Sequence, residues 1–149
     1  MMKIEMSPTY RKNALIVDDD AAILYLISSW MKYREWNVET AYDGTEAFDL
    51  LAGKKDFDVV LTDYNMPQMD GLVLAEKIKE MDPLIRVVLI TGTCRDIVER
   101  EINIIYIDDI LYKPFSLDKL DSILTGCIAG NSIADSFMHR KRSCETVLD

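Results

Sequence analysis

The chain has 149 residues, 49% of them hydrophobic and 29% charged, which suits one globular domain with a real core and excludes a disordered chain. Its net charge of −9 argues against direct contact with nucleic acid, whose phosphates need a basic face. The three cysteines, Cys94, Cys127 and Cys144, are odd in number and form no CxxC pair, so neither a disulfide framework nor a zinc site is expected. The first 13 residues lack the apolar core of a signal peptide, and no run approaches the roughly 20 apolar residues of a membrane span. A cytoplasmic protein is the expectation.

Five apolar runs alternate with amphipathic stretches. The first run, Ala14 to Val17, predicts a strand, and Asp20 then caps a helix reaching about Arg34. In that helix Ile23, Leu24, Ile27, Trp30 and Met31 share one face. Asn37 to Ala41 reads as a short strand, and Thr45 to Leu51 as a helix with Ala47, Leu50 and Leu51 inward. Phe57 to Thr62 is the third strand, and Gly71 to Met81 the third helix, stopped by Asp82-Pro83 because the position before a proline disfavours helix. Leu84 to Thr91 is nearly all apolar and β-branched, as in a strand covered on both faces. Arg95 to about Asn103 reads as a weak helix, Ile110 to Tyr112 as a fifth strand, and Ser116 caps a helix reaching about Leu124. Strands and helices alternating at this spacing predict βαβ units, hence a parallel sheet with helices on both faces. Residues 12–125 form this domain; residues 126–149 read as a tail or linker with room for a short helix from Ser132, too short for a second domain.

In such folds ligands bind at the carboxyl ends of the strands. Asp18, Asp19 and Asp20 follow the first strand, Asp63 the third, Thr91 the fourth and Lys113 the fifth. Neighbouring carboxylates repel unless a cation sits among them, and hard oxygen ligands suit Mg²⁺. A carboxylate can accept a phosphoryl group, and a metal, a lysine and a hydroxyl can neutralise and hold it.

With these parts in this order, the sequence resembles the receiver domain of two-component response regulators, the CheY-like family. The resemblance spans about residues 12 to 125 and rests on four segments. They are Val17-Asp18-Asp19-Asp20, Asp63-Tyr64-Asn65-Met66-Pro67-Gln68-Met69-Asp70-Gly71, Ile90-Thr91-Gly92 and Lys113-Pro114-Phe115. It implies a flavodoxin-like doubly wound sheet of five strands in the order 2-1-3-4-5. By the same resemblance Asp63 matches the phosphoacceptor and, with the acidic pair Asp18 and Asp19 and the backbone carbonyl of Asn65, a ligand of Mg²⁺. Thr91 matches the switch hydroxyl, Gly92 the small residue beside it, and Lys113 the lysine that pairs with the phosphoryl group. Pro114 matches a proline that holds the Lys113 loop, with a cis bond before it. The implied partners are a sensor histidine kinase or a phosphotransfer protein. Output runs through the fourth helix, fifth strand and fifth helix to another protein, or the chain is a piece of a longer regulator; a monomer and a phosphorylation-induced homodimer both stay open. The chain is not expected to be an enzyme beyond its own phosphorylation and dephosphorylation.

The chain departs from the family where a Tyr or Phe usually stands three positions before the lysine; here that residue is Ile110. Tyr106 and Tyr112 are near but out of that register, and Ile104 to Ile107 lacks the usual small Gly-Ala turn. Plainer roles are expected for several other residues. Asp20 and Asp70 read as helix caps, Met66, Pro67 and Met69 as loop packing, and Trp30 and Trp36 as core or helix-end packing. The cysteines read as structural, and His139 with the basic run His139-Arg140-Lys141-Arg142 as a solvated face. Two other functions fit fewer residues. One is a pseudo-receiver used as a constitutive interaction module. The other is an aspartyl-phosphate phosphatase of the haloacid-dehalogenase type, which would need Gly-Thr where Ala21-Ala22 stands.

Overall fold

The computed structural model describes residues 11–53, 56–101 and 104–129. Five parallel strands form one sheet: β1 (Asn13–Val17), β2 (Asn37–Ala41), β3 (Val59–Asp63), β4 (Arg86–Thr91) and β5 (Asp109–Tyr112), in the order β2-β1-β3-β4-β5. Five helices connect and follow them: α1 (Ala21–Tyr33), α2 (Gly44–Ala52), α3 (Gly71–Met81), α4 (Arg95–Glu101) and α5 (Leu117–Ala129). A 3-10 turn, Ile104–Tyr106, precedes β5. The doubly wound order expected from the resemblance is the observed one.

Side chains of a strand alternate between faces, and the two resulting layers bury different helices. On one face Leu15, Val17, Val60, Val87, Leu89 and Ile110 pack with Ala47 and Leu51 of α2, Leu74, Ala75 and Ile78 of α3, and Val98 of α4. On the other, Ala14, Ile16, Val59, Leu61, Val88, Ile90 and Leu111 meet Leu24, Ile27 and Met31 of α1 and Leu120, Ile123 and Leu124 of α5. Burial on both faces explains why the central strands read as unbroken apolar runs.

The acids at helix starts are caps. Asp20 accepts from the Ala22 N–H at 2.9 Å, Asp43 from Glu46 at 2.8 Å, and Asp70 from both Leu72 and Val73 at 2.9 Å. Ser116 accepts from the Lys119 N–H at 3.1 Å. The capped helices α1, α2 and α5 therefore start within a few residues of a strand end, while a longer loop, residues 64–70, separates Asp63 from α3.

Several boundaries differ from expectation. β4 begins at Arg86, and Leu84 is 85% exposed, because Asp82 accepts the Leu84 N–H and turns the chain before the strand. Asp63 lies within β3, which starts two residues later than expected. The fifth helix continues past Leu124 to Ala129. Cys94 is exposed, not packed. His139, the basic run at 139–142, Cys144 and the helix expected from Ser132 lie outside the described residues.

Candidate functional site

Four strand ends meet at one rim of the sheet. Asp18 follows β1 directly and is fully buried, its N–H donating to the Ala41 carbonyl at 3.1 Å. Its Oδ1 accepts from the Asp20 N–H at 2.8 Å, so the turn that caps α1 also orients Asp18. Asp19, between them, faces solvent. Asp63 ends β3, opposite Ile90 of β4, and is 6% exposed. Carboxylate oxygens of Asp18, Asp19 and Asp63 all lie within 4.8 Å of one another.

Lys113, the residue after β5, closes the group. Its Nζ lies 3.3 Å from Asp18 Oδ2 and 3.4 Å from Asp63 Oδ1. The peptide bond between Lys113 and Pro114 is cis, as expected. The Lys113 N–H donates to the Thr91 carbonyl at 2.7 Å, which ties the β5 end to the β4 end. Thr91 is fully buried, and its hydroxyl oxygen accepts from the Thr93 N–H at 2.9 Å. That leaves the hydroxyl its proton to donate and one lone pair free.

Three carboxylates share one ammonium here, and the electrostatics follow. Burial, with the Asp19 charge adding to it, holds Asp18 above the usual carboxylate range despite the Asp20 N–H and Lys113. Asp63 is likewise raised, first by burial and then by the Asp18 charge, and Lys113 only partly offsets both. For Lys113 burial acts downward, and the two carboxylates outweigh it and raise the ammonium. The group is thus short of positive charge. Three clustered oxygen donors with excess negative charge fit a hard divalent cation.

The loop after Asp63 is held by its own main chain. Tyr64 N–H donates to the Ile90 carbonyl at 2.9 Å and Gly71 N–H to the Tyr64 carbonyl at 3.0 Å. Gln68 takes a positive φ of 71°, and Met66 is buried beneath. Asn65 sits in this loop, two residues past Asp63, with an exposed side chain. Clefts of about 480 and 520 Å³ open around Trp36 at the opposite end of the strands, away from the charged group on the rim.

The structure therefore brings Asp18, Asp19, Asp63 and Lys113 together, with Thr91 joined to them through the Lys113 backbone. Asp20 acts as a cap. Tyr112 stands out of register with the family's usual aromatic position. It is the strand partner of Thr91, and its ring lies 5.3 Å from the Arg95 guanidinium. Its place immediately before Lys113 was the available signal.

The family model for the response regulator receiver domain matches residues 14–125. Among curated proteins, the transcriptional regulatory protein TrcR of Mycobacterium tuberculosis is 34% identical over 123 residues, covering 79% of this chain and 46% of TrcR. The chain thus matches about half the length of that relative. Among solved structures, the chemotaxis response regulator CheY4 of Vibrio cholerae is 27% identical with a TM-score of 0.72, covering 79% of this chain and 99% of that one. The response regulator TrrA of Thermotoga maritima, in complex with Mg²⁺ and a beryllium fluoride, is 25% identical with a TM-score of 0.70, covering 78% of this chain and 98% of that one.

Proposed function

This chain belongs to the response regulator receiver domain family, and from that premise we propose that Asp63 is the phosphoacceptor of a phosphorylation-controlled signalling switch. The observation that carries the assignment is the pairing of Lys113 Nζ with both Asp18 and Asp63, 3.3 and 3.4 Å away, beside the exposed Asp19. Asp63 is the acid at the end of the central strand β3.

The donor is a phosphohistidine on a sensor kinase or a phosphotransfer protein. An Asp63 carboxylate oxygen attacks phosphorus, the P–O bond forms as the P–N bond breaks, and the imidazole leaves with a proton. Lys113 neutralises charge on the phosphoryl oxygens, and the Thr91 hydroxyl, already accepting from Thr93, donates its proton to one of them. Asp18 and Asp19, with the Asn65 carbonyl, would hold Mg²⁺, which supplies further charge neutralisation when bound. The Mg²⁺ and beryllium fluoride of the Thermotoga maritima relative support this reading by likeness. Water later attacks the acyl phosphate and returns Asp63 to its carboxylate.

Output through protein contact by the α4, β5 and α5 surface follows from the family. TrcR is named a transcriptional regulator, and this chain matches 46% of it, so the output of a whole regulator belongs to the same proposal. No helix among the described residues is long and apolar enough to cross a membrane.

Incubation with acetyl phosphate and Mg²⁺, followed by intact mass, tests the assignment. One phosphoryl adduct is expected on the wild type and none on Asp63→Asn. A wild type without an adduct would support a pseudo-receiver instead.

A further inference from the structure

Signals must leave the site through side chains that touch it, and one such route is already built. Thr91 and Tyr112 are register partners on β4 and β5. Strand alternation puts Thr91 on the face of Leu89, and Tyr112 packs against that same face, so the two side chains are cross-strand neighbours. Tyr112 also precedes Lys113, whose N–H binds the Thr91 carbonyl. Its ring is covered by the guanidinium of Arg95, the first residue of α4. Ile110, two residues earlier on the same face, is 3% exposed, pairs with Leu89 and has no polar side-chain atom. Tyr112 thus stands beside Thr91 across the strands and meets the first residue of α4 as well.

We infer that Tyr112, held beneath Arg95, is the positioning residue that couples the state of Asp63 to α4. The inference rests on the phosphoacceptor reading and adds to it a path. When Thr91 and Lys113 shift toward a phosphoryl group, the Tyr112 ring shifts with its strand neighbours. The cation–π contact then carries the start of α4 with it or releases it. A contact of this kind at a half-exposed site changes the docked population by about two- to fivefold, enough to bias a short helix.

The test loads the protein with Mg²⁺ and beryllofluoride and follows hydrogen exchange in residues 95–101. Wild type and Tyr112→Phe, which keeps the ring, should show a loading-dependent change there. Tyr112→Leu and the surface change Arg95→Gln should lose most of it while still forming the acetyl-phosphate adduct at wild-type level. Should loaded Tyr112→Leu and Arg95→Gln respond as the wild type does, the coupling is refuted. Loss of the adduct in both variants would equally refute it, because Tyr112 would then be acting within the site. Absence of any adduct on the wild type is a different result, and it removes the phosphoacceptor reading together with this one. Arg95 is exposed, so Arg95→Gln removes the guanidinium over Tyr112 without cutting into the buried core, and its result stands even where Tyr112→Leu unfolds.

Discussion

Gly71 lies against the main-chain carbonyl oxygen of Asp63, so closely that a methyl group at position 71 would overlap that oxygen and crowd Leu89 as well. The first residue of α3 is thereby seated on the strand end that carries the acid. Because the neighbour is backbone, relief requires moving either the helix start or Asp63 itself. Gly71→Ala should therefore destabilise the fold by about 1–3 kcal/mol in urea denaturation and slow acetyl-phosphate labelling of Asp63. Full stability with normal labelling would contradict the close approach.

The raised carboxylates give a stability profile with a definite sign. Burial lifts Asp18 and Asp63 in the folded chain above the ordinary value of about 3.9, so their ionised forms oppose folding. That penalty is absent below the ordinary value, where both states are protonated, and grows as pH rises through the raised one. Without metal, Asp63→Asn should be more stable than the wild type at pH 7, and the difference should vanish near pH 3. A thermal-melt series across pH checks this, and an unchanged gap at acid pH would contradict it.

Mg²⁺ should reverse the penalty. At a hundredfold excess over its dissociation constant, a single bound ion stabilises by about 2.7 kcal/mol. The gain should disappear with chelator or in Asp18→Asn. It should also weaken as pH falls through the raised carboxylate range, since protons compete for the same oxygens. Melting curves with and without Mg²⁺ give the comparison.

Far from the site, Lys79 and Asp108 form a largely buried ion pair at 2.6 Å. Lys79 also donates to the Ile85 carbonyl, and Asp108 accepts the Val87 N–H. The pair fastens α3 to the entry of β4 and β5. Lys79→Met leaves the acid half-buried without its cation and should cost about 3 kcal/mol. Adding Asp108→Asn should recover part of that loss in a double-mutant cycle, with labelling of Asp63 unaffected throughout.

Glu35 ends α1 in a left-handed conformation, φ 68°, with its N–H on Lys32 and the Trp36 N–H on Met31. That is a helix terminus glycine prefers. Glu35→Gly should stabilise the protein by about 0.5–1 kcal/mol in denaturant unfolding.

The residues that were easiest to read from sequence are those whose neighbours along the chain fix them. Asp20, Asp70 and Ser116 cap the helices expected of them, and α3 has the expected bounds, because a cap and a proline act locally. The two-sided burial of β4 showed in its unbroken apolar run. Leu84 misled because an apolar residue in an exposed turn looks like the start of a strand, and only the Asp82 hydrogen bond separates the two. The cluster at Asp63 was legible because each member stands at a strand end. The Tyr112–Thr91 pairing was not, since register between strands is a long-range property that local pattern does not encode. Arg95 over Tyr112 depends on that register and was hidden with it.

Lys113 meets Asp18 across 95 residues of sequence and Asp63 across 50. No shorter stretch of the chain contains both contacts. A chain cut between Asp63 and Lys113 would hold the acid without its counter-charge. The charge balance of the rim therefore belongs to the whole span from β1 to the end of β5 and to no shorter piece of it.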